Sequence, residues 1–433
     1  MLTDPRDGSR IVYSLPFLLL QAIISRLVGC VSNRATARFR DAPLYMENLR
    51  LLAECSAAGM PHHTTVAYLM RKLDPGQLES LRHHMIAYLL KSRTLRNMRV
   101  RERYLVAVDG VQYCRTTRPL EHSTRVVHKD GRVEHCLNAL EAKLVSPGGM
   151  VFSICSVSIE NPLGAAYDKQ DCELKAFRRL AERLGKDFPR LRICLLLDGL
   201  YLCREVIDIC KDNGWDYSIT FKEGAASVFH GIAMGRIAAS GHNVIRDTDP
   251  VSGKARRVRW ANGVQHDLGG RGEKVVASVV RKDPAPGEAG DVLMYLTSIH
   301  LERKWVAEVL DGICRTRWKI ENEGFNNQKN DGLGLEHAFA TGRNAAYNYY
   351  LVVQIAHILL ELIIRGSIFR RLQQHEHPKE VPRTICRPML EWFGTRRRVM
   401  QDIGEALRWR LIDKDIDFSG WRLELDTYGS CSA

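Results

Sequence analysis

No run of about 20 uniformly apolar residues occurs in this sequence, so membrane-spanning helices are not expected. The two most apolar stretches carry polar breaks. Leu15–Val31 contains Gln21 and Arg26, and Tyr347–Ile364 contains Gln354, His357 and Glu361, so both read as buried helices. The N-terminus opens on polar Thr3-Asp-Pro-Arg6 and lacks a small-residue cleavage site, which argues against a secretory signal. There is no CxxC pair, and none of the 12 cysteines has histidine partners at zinc-finger spacing, which argues against the common structural zinc modules. Cys155, Cys194 and Cys203 sit in apolar runs and read as small core residues of a reduced cytoplasmic protein. Internal repeats and low-complexity tracts are also missing. Aromatic residues make up only 8% of the chain, which offers little for stacking platforms that hold sugars.

What is present is ordinary apolar content and an excess of positive charge. Hydrophobic residues at 45% place the chain among folded proteins rather than disordered ones. Lys and Arg number 63 against 50 Asp and Glu, a net charge of +13 that favours a polyanionic partner, nucleic acid first among them. A length of 433 residues suggests two to four structural units.

Periodicity divides the chain. Residues 1–100 read as helical: Leu44–Ala57 and Gln77–Lys91 repeat apolar residues at three and four, with Pro75-Gly76 as a break between them. Arg93, Arg96, Arg99, Arg101 and Arg103 then crowd together. Such a cluster is a solvated face or a phosphate-contacting surface next to the site proposed below. From 101 to 224, candidate strands Tyr104–Val108, Val133–Val145, Met150–Val157, Leu191–Leu197 and Trp215–Phe221 alternate with amphipathic helices, Cys172–Leu184 and Cys203–Asp212. This order predicts an α/β fold with a mixed sheet flanked by helices. Residues 225–299 read as a β-rich insertion with the basic run Lys254–Arg259. Residues 300–370 resume the α/β unit, and 371–433 form a basic C-terminal region.

Two aspartates end apolar strand-like runs and are each followed by glycine: Asp109-Gly110 and Asp198-Gly199. The run Ile313–Phe339 predicts a helix on which Arg317 and Glu321 share one face, continued by Phe325 and bordered by Trp318. Two rigid strand-end aspartates with one helix glutamate make an oxygen donor set for hard divalent cations, Mg²⁺ or Mn²⁺, which points to phosphodiester chemistry. Singly, each residue has a plainer reading. Asp-Gly is a common turn, and Arg317–Glu321 is an ordinary surface pair worth about 0.3–0.5 kcal/mol. Glu323 is a rival for the glutamate role but points to another side of the helix. His128 and His135, flanking the turn Lys129-Asp-Gly131, read as loop residues or DNA contacts.

At these residues the chain resembles the bacterial insertion-sequence transposases that carry an Asp-Asp-Glu triad on a ribonuclease-H-like fold. The closest group has a β insertion before the glutamate and a Tyr…Arg…Glu…Lys signature. Arg317-Trp-Lys-Ile-Glu321, Asn322-Glu-Gly-Phe325, Leu335-Glu-His337, Asp198-Gly-Leu-Tyr201 and Asp109-Gly110 carry the resemblance, over roughly residues 100–345 and in the required order. It departs at two positions. Cys314 stands at the tyrosine position and Gln328 at the lysine position, with Lys329 one step later, about 100° around a regular helix. The long stem of Lys329 keeps it a candidate DNA contact.

The resemblance implies Asp109, Asp198 and Glu321 as catalytic and metal-binding residues, Arg317 as a phosphate contact near the scissile bond, and metal-dependent strand cleavage and transfer of the cut-and-paste type. It also implies double-stranded DNA with terminal inverted repeats as partner, a homodimeric synaptic complex, and a nucleoid-associated bacterial protein. An insertion-domain aromatic, Trp260 or Tyr295, is the corresponding candidate for stacking on a flipped base. A catalytically inactive DNA-binding relic or repressor of the same fold is the main competitor. A glycoside hydrolase using two carboxylates ranks far below, given the aromatic content and the charge.

Overall fold

The computed structural model describes residues 2–57, 59–120, 122–161, 172–221, 227–266, 268, 274–287, 290–337, 339–366, 396–412, 423 and 425. Four helices lead: α1 (Leu15–Leu27), α2 (Pro43–Ala53), α3 (His63–Lys72) and α4 (Pro75–Lys91). Pro75 occupies the first turn of α4, where its missing N–H costs nothing, so the Pro-Gly step starts a helix rather than separating two. The stretch expected to run as one helix to Ala57 ends at Ala53, with Glu54 in the left-handed region.

Ten strands then form one mixed sheet: β1 (Tyr104–Thr116), β2 (Thr124–Val127), β3 (Val133–Val145), β4 (Val151–Ile159), β5 (Ile193–Leu197), β6 (Asp216–Thr220), β7 (Val244–Thr248), β8 (Ala255–His266), β9 (Val275–Pro284) and β10 (Leu293–Thr297). Their order is β2-β3-β1-β5-β6-β10-β9-β8-β7, with β4 pairing the same edge of β3 as β2, further along. β1, β5 and β6 are parallel, while β1–β3 and β10–β6 are antiparallel. The β-rich segment is thus not a separate sheet. β10 hydrogen-bonds β6, so β7–β10 extend the central sheet. Two of its strands, β7 and β8, escaped the sequence reading because charged residues interrupt their alternation.

Side chains on β1 alternate between two cores. Leu105, Ala107, Val111 and Tyr113 face α1, α3 and the long α10 (Arg343–Arg365), whereas Val106 and Val108 face α5 (Glu173–Asp187) and α6 (Arg204–Asp212). α7 (Ser227–Ala239) covers the second face beside β8. The two apolar stretches near the termini are helices α1 and α10, mostly buried in the first core as expected. A further helix, α11 (Arg396–Trp409), packs on α2. Most of the expected basic C-terminal region lies outside the described residues; Arg396–Arg398, Arg408 and Arg410 fall within them.

Between β10 and α10, residues 306–330 wind as a chain of unlike helical turns. α8 (Val306–Glu308) is followed by a π turn at Val309–Ile313, a 3₁₀ turn at Cys314–Trp318, a second π turn at Ile320–Phe325, and α9 (Asn326–Asn330). Insertions of this kind are rare and concentrate at functional sites.

Candidate active site

Asp109 does not end its strand: β1 continues to Thr116, pairing with β3 throughout. What stops near Asp109 is the pairing with β5, whose last partner on β1 is Ala107, opposite Leu196. Asp198 follows the last residue of β5 and caps a 3₁₀ turn, its Oδ1 accepting the Leu200 N–H at 2.8 Å. Asp109 is in phase with Leu105 and Ala107, and Asp198 with Cys194 and Leu196, so both belong to the sheet face that packs the 306–330 segment. The side chain of Glu321 projects from that segment toward the same place.

Arg317 connects the parts. Its Nη2 donates to Glu321 Oε1 at 2.9 Å and its Nη1 lies 3.5 Å from Asp109 Oδ2, which bears out the expected shared face of Arg317 and Glu321. The Arg317 side chain is 8% exposed, and its Nε and Nη1 lack hydrogen-bond partners among the described residues. The Asp109 carboxyl is pushed up to about 7. Burial is the chief cause, Arg317 opposes it, and the charges of Glu321, Glu173 and Asp198 add to it. The charges of Asp198 and Glu321 are thus near enough to act on Asp109, and so is that of a residue outside the sequence-predicted set, Glu173.

Glu173 opens α5 and had no distinguishing signal in the sequence, since an acid in a first helical turn is commonplace. Tyr201 Oη donates to its Oε2 at 3.1 Å. Gly110 is what admits it: a Cβ at that position would collide with the Glu173 carboxylate.

The two signature departures have physical reasons. Cys314 is buried and its thiol is pushed up to about 12 by burial, so that position faces the core and offers no phosphate contact. Gln328 is 0% exposed; its Oε1 accepts from Lys143 Nζ at 3.1 Å and its Nε2 donates to Gln354 at 2.8 Å. Lys329 pairs with Glu336 at 2.8 Å, whereas Gln328 turns inward. Phe325 also turns in, its ring 4.6 Å from Lys143 Nζ.

Other expectations need correction. Trp260 is 2% exposed and Tyr295 1% exposed, both in the core beneath the 306–330 segment, so neither offers a ring face to a flipped base. Trp318, which is exposed, has its ring 4.9 Å from the Arg317 guanidinium. Arg103 pairs with Asp216 at 2.5 Å, at the end where β1 and β6 begin, away from the carboxylates. Arg99 and Arg101 are likewise paired, with Glu102 and Glu308. The arginine cluster therefore does not border the site. Nor is the 254–259 run a free basic face, since Arg256 is clamped by Asp247 and Asp311 while Arg257 and Arg259 meet Asp283. Asp249, buried, binds Arg315 at 2.8 Å and Lys282 at 2.7 Å. These pairs fasten the β7–β10 extension to the segment carrying Arg317 and Glu321. Glu323 turns to Lys319 and Arg396, away from the other carboxylates, as expected. His128 pairs with Glu134, and His135 Nδ1 lies 3.0 Å from Ser123 Oγ.

As the side chains stand, no three His, Cys, Asp or Glu among the described residues are grouped to hold a metal ion. Arg317 spans the gap between Asp109 and Glu321. The donors are all oxygen, the kind a hard divalent cation takes, and two of them, Asp109 and Glu321, share the Arg317 guanidinium.

Residues 1–85 match the DDE_Tnp_1-associated family model. The match supports a transposase of the DDE family, and it falls on helices α1 to α4, outside the sheet and the carboxylates. No curated protein matches the chain.

Proposed function

We propose that this chain is a DDE transposase that cuts and rejoins the ends of an insertion sequence by metal-dependent phosphodiester cleavage and strand transfer. The observation that carries the reading is the meeting of Asp109 and Glu321, from separate elements, at the Arg317 guanidinium, with Asp198 just past the end of the neighbouring strand β5. The transposase-associated match at residues 1–85 and the net charge of +13 support it. So does a mixed sheet covered by helices on both faces, which is what the ribonuclease-H-like expectation requires.

In this reading Asp109, Asp198 and Glu321 hold Mg²⁺ or Mn²⁺, which supplies Lewis-acid activation of the attacking hydroxyl and stabilises the leaving oxygen. Arg317 turns its free N–H donors to a phosphate beside the scissile bond, and the fixed Asp198 turn keeps one carboxylate in place before DNA arrives. Lys329 adds a backbone contact on the glutamate face. Helices α1–α4 and the basic C-terminal residues bind terminal repeats in a homodimeric synaptic complex.

The Arg317–Glu321 pair also gives a second reading some support, since a guanidinium engaged by the site's own carboxylates fits a non-cutting DNA-binding protein of the same fold. Asp198→Asn separates the two. A transposase variant keeps DNA binding and loses strand cleavage, whereas a wild-type protein that binds DNA and never cuts it favours the non-catalytic reading.

A further inference from the structure

We propose that the tip of the β2–β3 hairpin is a ribbon that seats in the major groove of the DNA duplex beside the cleavage point. The inference takes its partner from the transposase reading and adds a surface outside the carboxylates and helices α1–α4.

β3 is paired on one edge by β1 as far as Thr116, opposite His135, and on the other by β4 from Asn138 onward. Beyond His135 only β2 accompanies it, with Val126 opposite Glu134 and Val127 opposite Val133, so the hairpin ends as a two-stranded ribbon. Successive strand residues point to opposite faces. Val126 is 43% exposed and Val127 59%, so neither face of the tip is covered. The turn is nonetheless fixed. The Gly131 N–H donates to His128 O at 2.9 Å, the His128 N–H to Arg132 O at 2.8 Å, and the Arg132 N–H to Asp130 Oδ1 at 3.0 Å.

Positive charge gathers at the same place. Arg118 and Lys129 are exposed and have no ion-pair partner among the described residues. Arg115 and Arg132 share one carboxylate, Glu134, at 3.6 Å each, and His128 Nε2 lies 2.9 Å from it. Protection of a sheet edge is the plainer reading of a charged hairpin, but protection works by placing charge on the edge strand. Here the outer strand ends in two bare valines and the cations flank them. The major groove of B-form DNA admits a two-stranded ribbon, is walled by phosphates and presents thymine methyl groups, so it matches the shape, the charge and the valines together. The reach also fits. Asp109 pairs with Glu141, and Val133 lies eight residues away along β3, about 26 Å at about 3.3 Å per residue. One helical turn of DNA spans about 34 Å.

The test is binding of the full chain to duplex DNA carrying the gene's own flanking ends, over about 50 to 200 mM salt. Thermal melting checks folding. The triple variant Arg118→Ala, Lys129→Ala, Arg132→Ala is expected to bind at least tenfold more weakly. The slope of log affinity against log salt should fall by about three, roughly one per phosphate contact. Lys129→Ala alone should lower the slope by about one and holds the test open if the triple variant misfolds. As a control, Lys186, Arg190 and Lys211, exposed at the end of the sheet where β5 and β6 begin, are changed to alanine; affinity and slope should stay at wild type. Guanine N7 faces the major groove, so wild type should protect it from dimethyl sulfate within one turn of the repeat boundary, and the triple variant should not. An unchanged slope in the folded triple variant, an equal fall in the control, or no N7 protection by wild type overturns the ribbon, and persisting Mg²⁺-dependent cleavage then leaves the transposase reading standing. The expected loss of slope in a chain that never cuts DNA does the reverse. A wild-type chain that binds no DNA overturns both.

Discussion

Replacing Asp249 with asparagine would remove the charge that fastens the β7–β10 extension to the segment bearing Glu321. Asp249 accepts from Arg315 at 2.8 Å, from the Val251 N–H at 2.9 Å and from the Ser252 N–H at 3.4 Å, and pairs with Lys282 at 2.7 Å. Asparagine keeps the shape and one acceptor but leaves two cations facing each other. Breaking a buried ion pair by removing one partner costs about 3–5 kcal/mol. Arg315 keeps Asp311 at 3.3 Å and some access to water, so roughly 2–3 kcal/mol is the expected loss. The loss should fall on local opening of residues 306–330. At about 1.4 kcal/mol per tenfold, amide hydrogen exchange there should accelerate on the order of 100-fold. Burial acts to raise the Asp249 carboxyl, but the bonds from Arg315 and Lys282 win and hold it below the usual carboxylate range. A carboxylate lowered in this way stabilises fully above the unfolded value of about 4 and loses its effect as pH falls below that. The difference between wild type and variant should therefore shrink on acidification. Unchanged exchange across 306–330 in the variant would refute the idea that the extension holds this segment in place.

Three further outcomes follow from burial. Gln328→Lys, which restores the signature residue, should destabilise the fold by roughly 3 kcal/mol or more in urea unfolding, because it sets a second cation against Lys143 in a closed space; a neutral effect would mean that position 328 opens to solvent. Trp260→Ala should cost about 3–5 kcal/mol as a core cavity, whereas an aromatic reserved for DNA would leave stability intact and weaken only DNA binding. Burial pulls the Lys143 ammonium down to about 8, opposed by Glu141, so the unfolded chain binds more protons than the folded one between about pH 8 and 10.5. Wild type should accordingly gain up to roughly 3 kcal/mol relative to Lys143→Met across that window, and parallel stability curves would contradict the assignment.

The sequence made the active-site frame legible because its signals are local. Asp109 and Asp198 each close an apolar run, and the i,i+4 spacing of Arg317 and Glu321 needs no knowledge of the fold to put them on one face. The position of Glu173 was not legible, since it depends on α5 crossing behind β1 and on the missing side chain at Gly110, neither of which has a local signature. Charge counting misled at Lys254–Arg259 and at Arg101 and Arg103, where partners distant in sequence absorb the arginines. The aromatic candidates failed for a similar reason. Trp260 and Tyr295 lie on strands that join the central sheet, so the assumed free insertion face is covered by residues 306–330.

The most direct test of the central claim is cleavage of labelled DNA carrying the gene's own flanking ends, with Mg²⁺ or with EDTA, by the wild-type chain and by Asp109→Asn, Asp198→Asn and Glu321→Gln. The account predicts nicking at the repeat boundary that requires Mg²⁺, and three variants that bind the same DNA without cutting it. Cleavage that survives EDTA, or a triad variant that cuts at the wild-type rate, would contradict it.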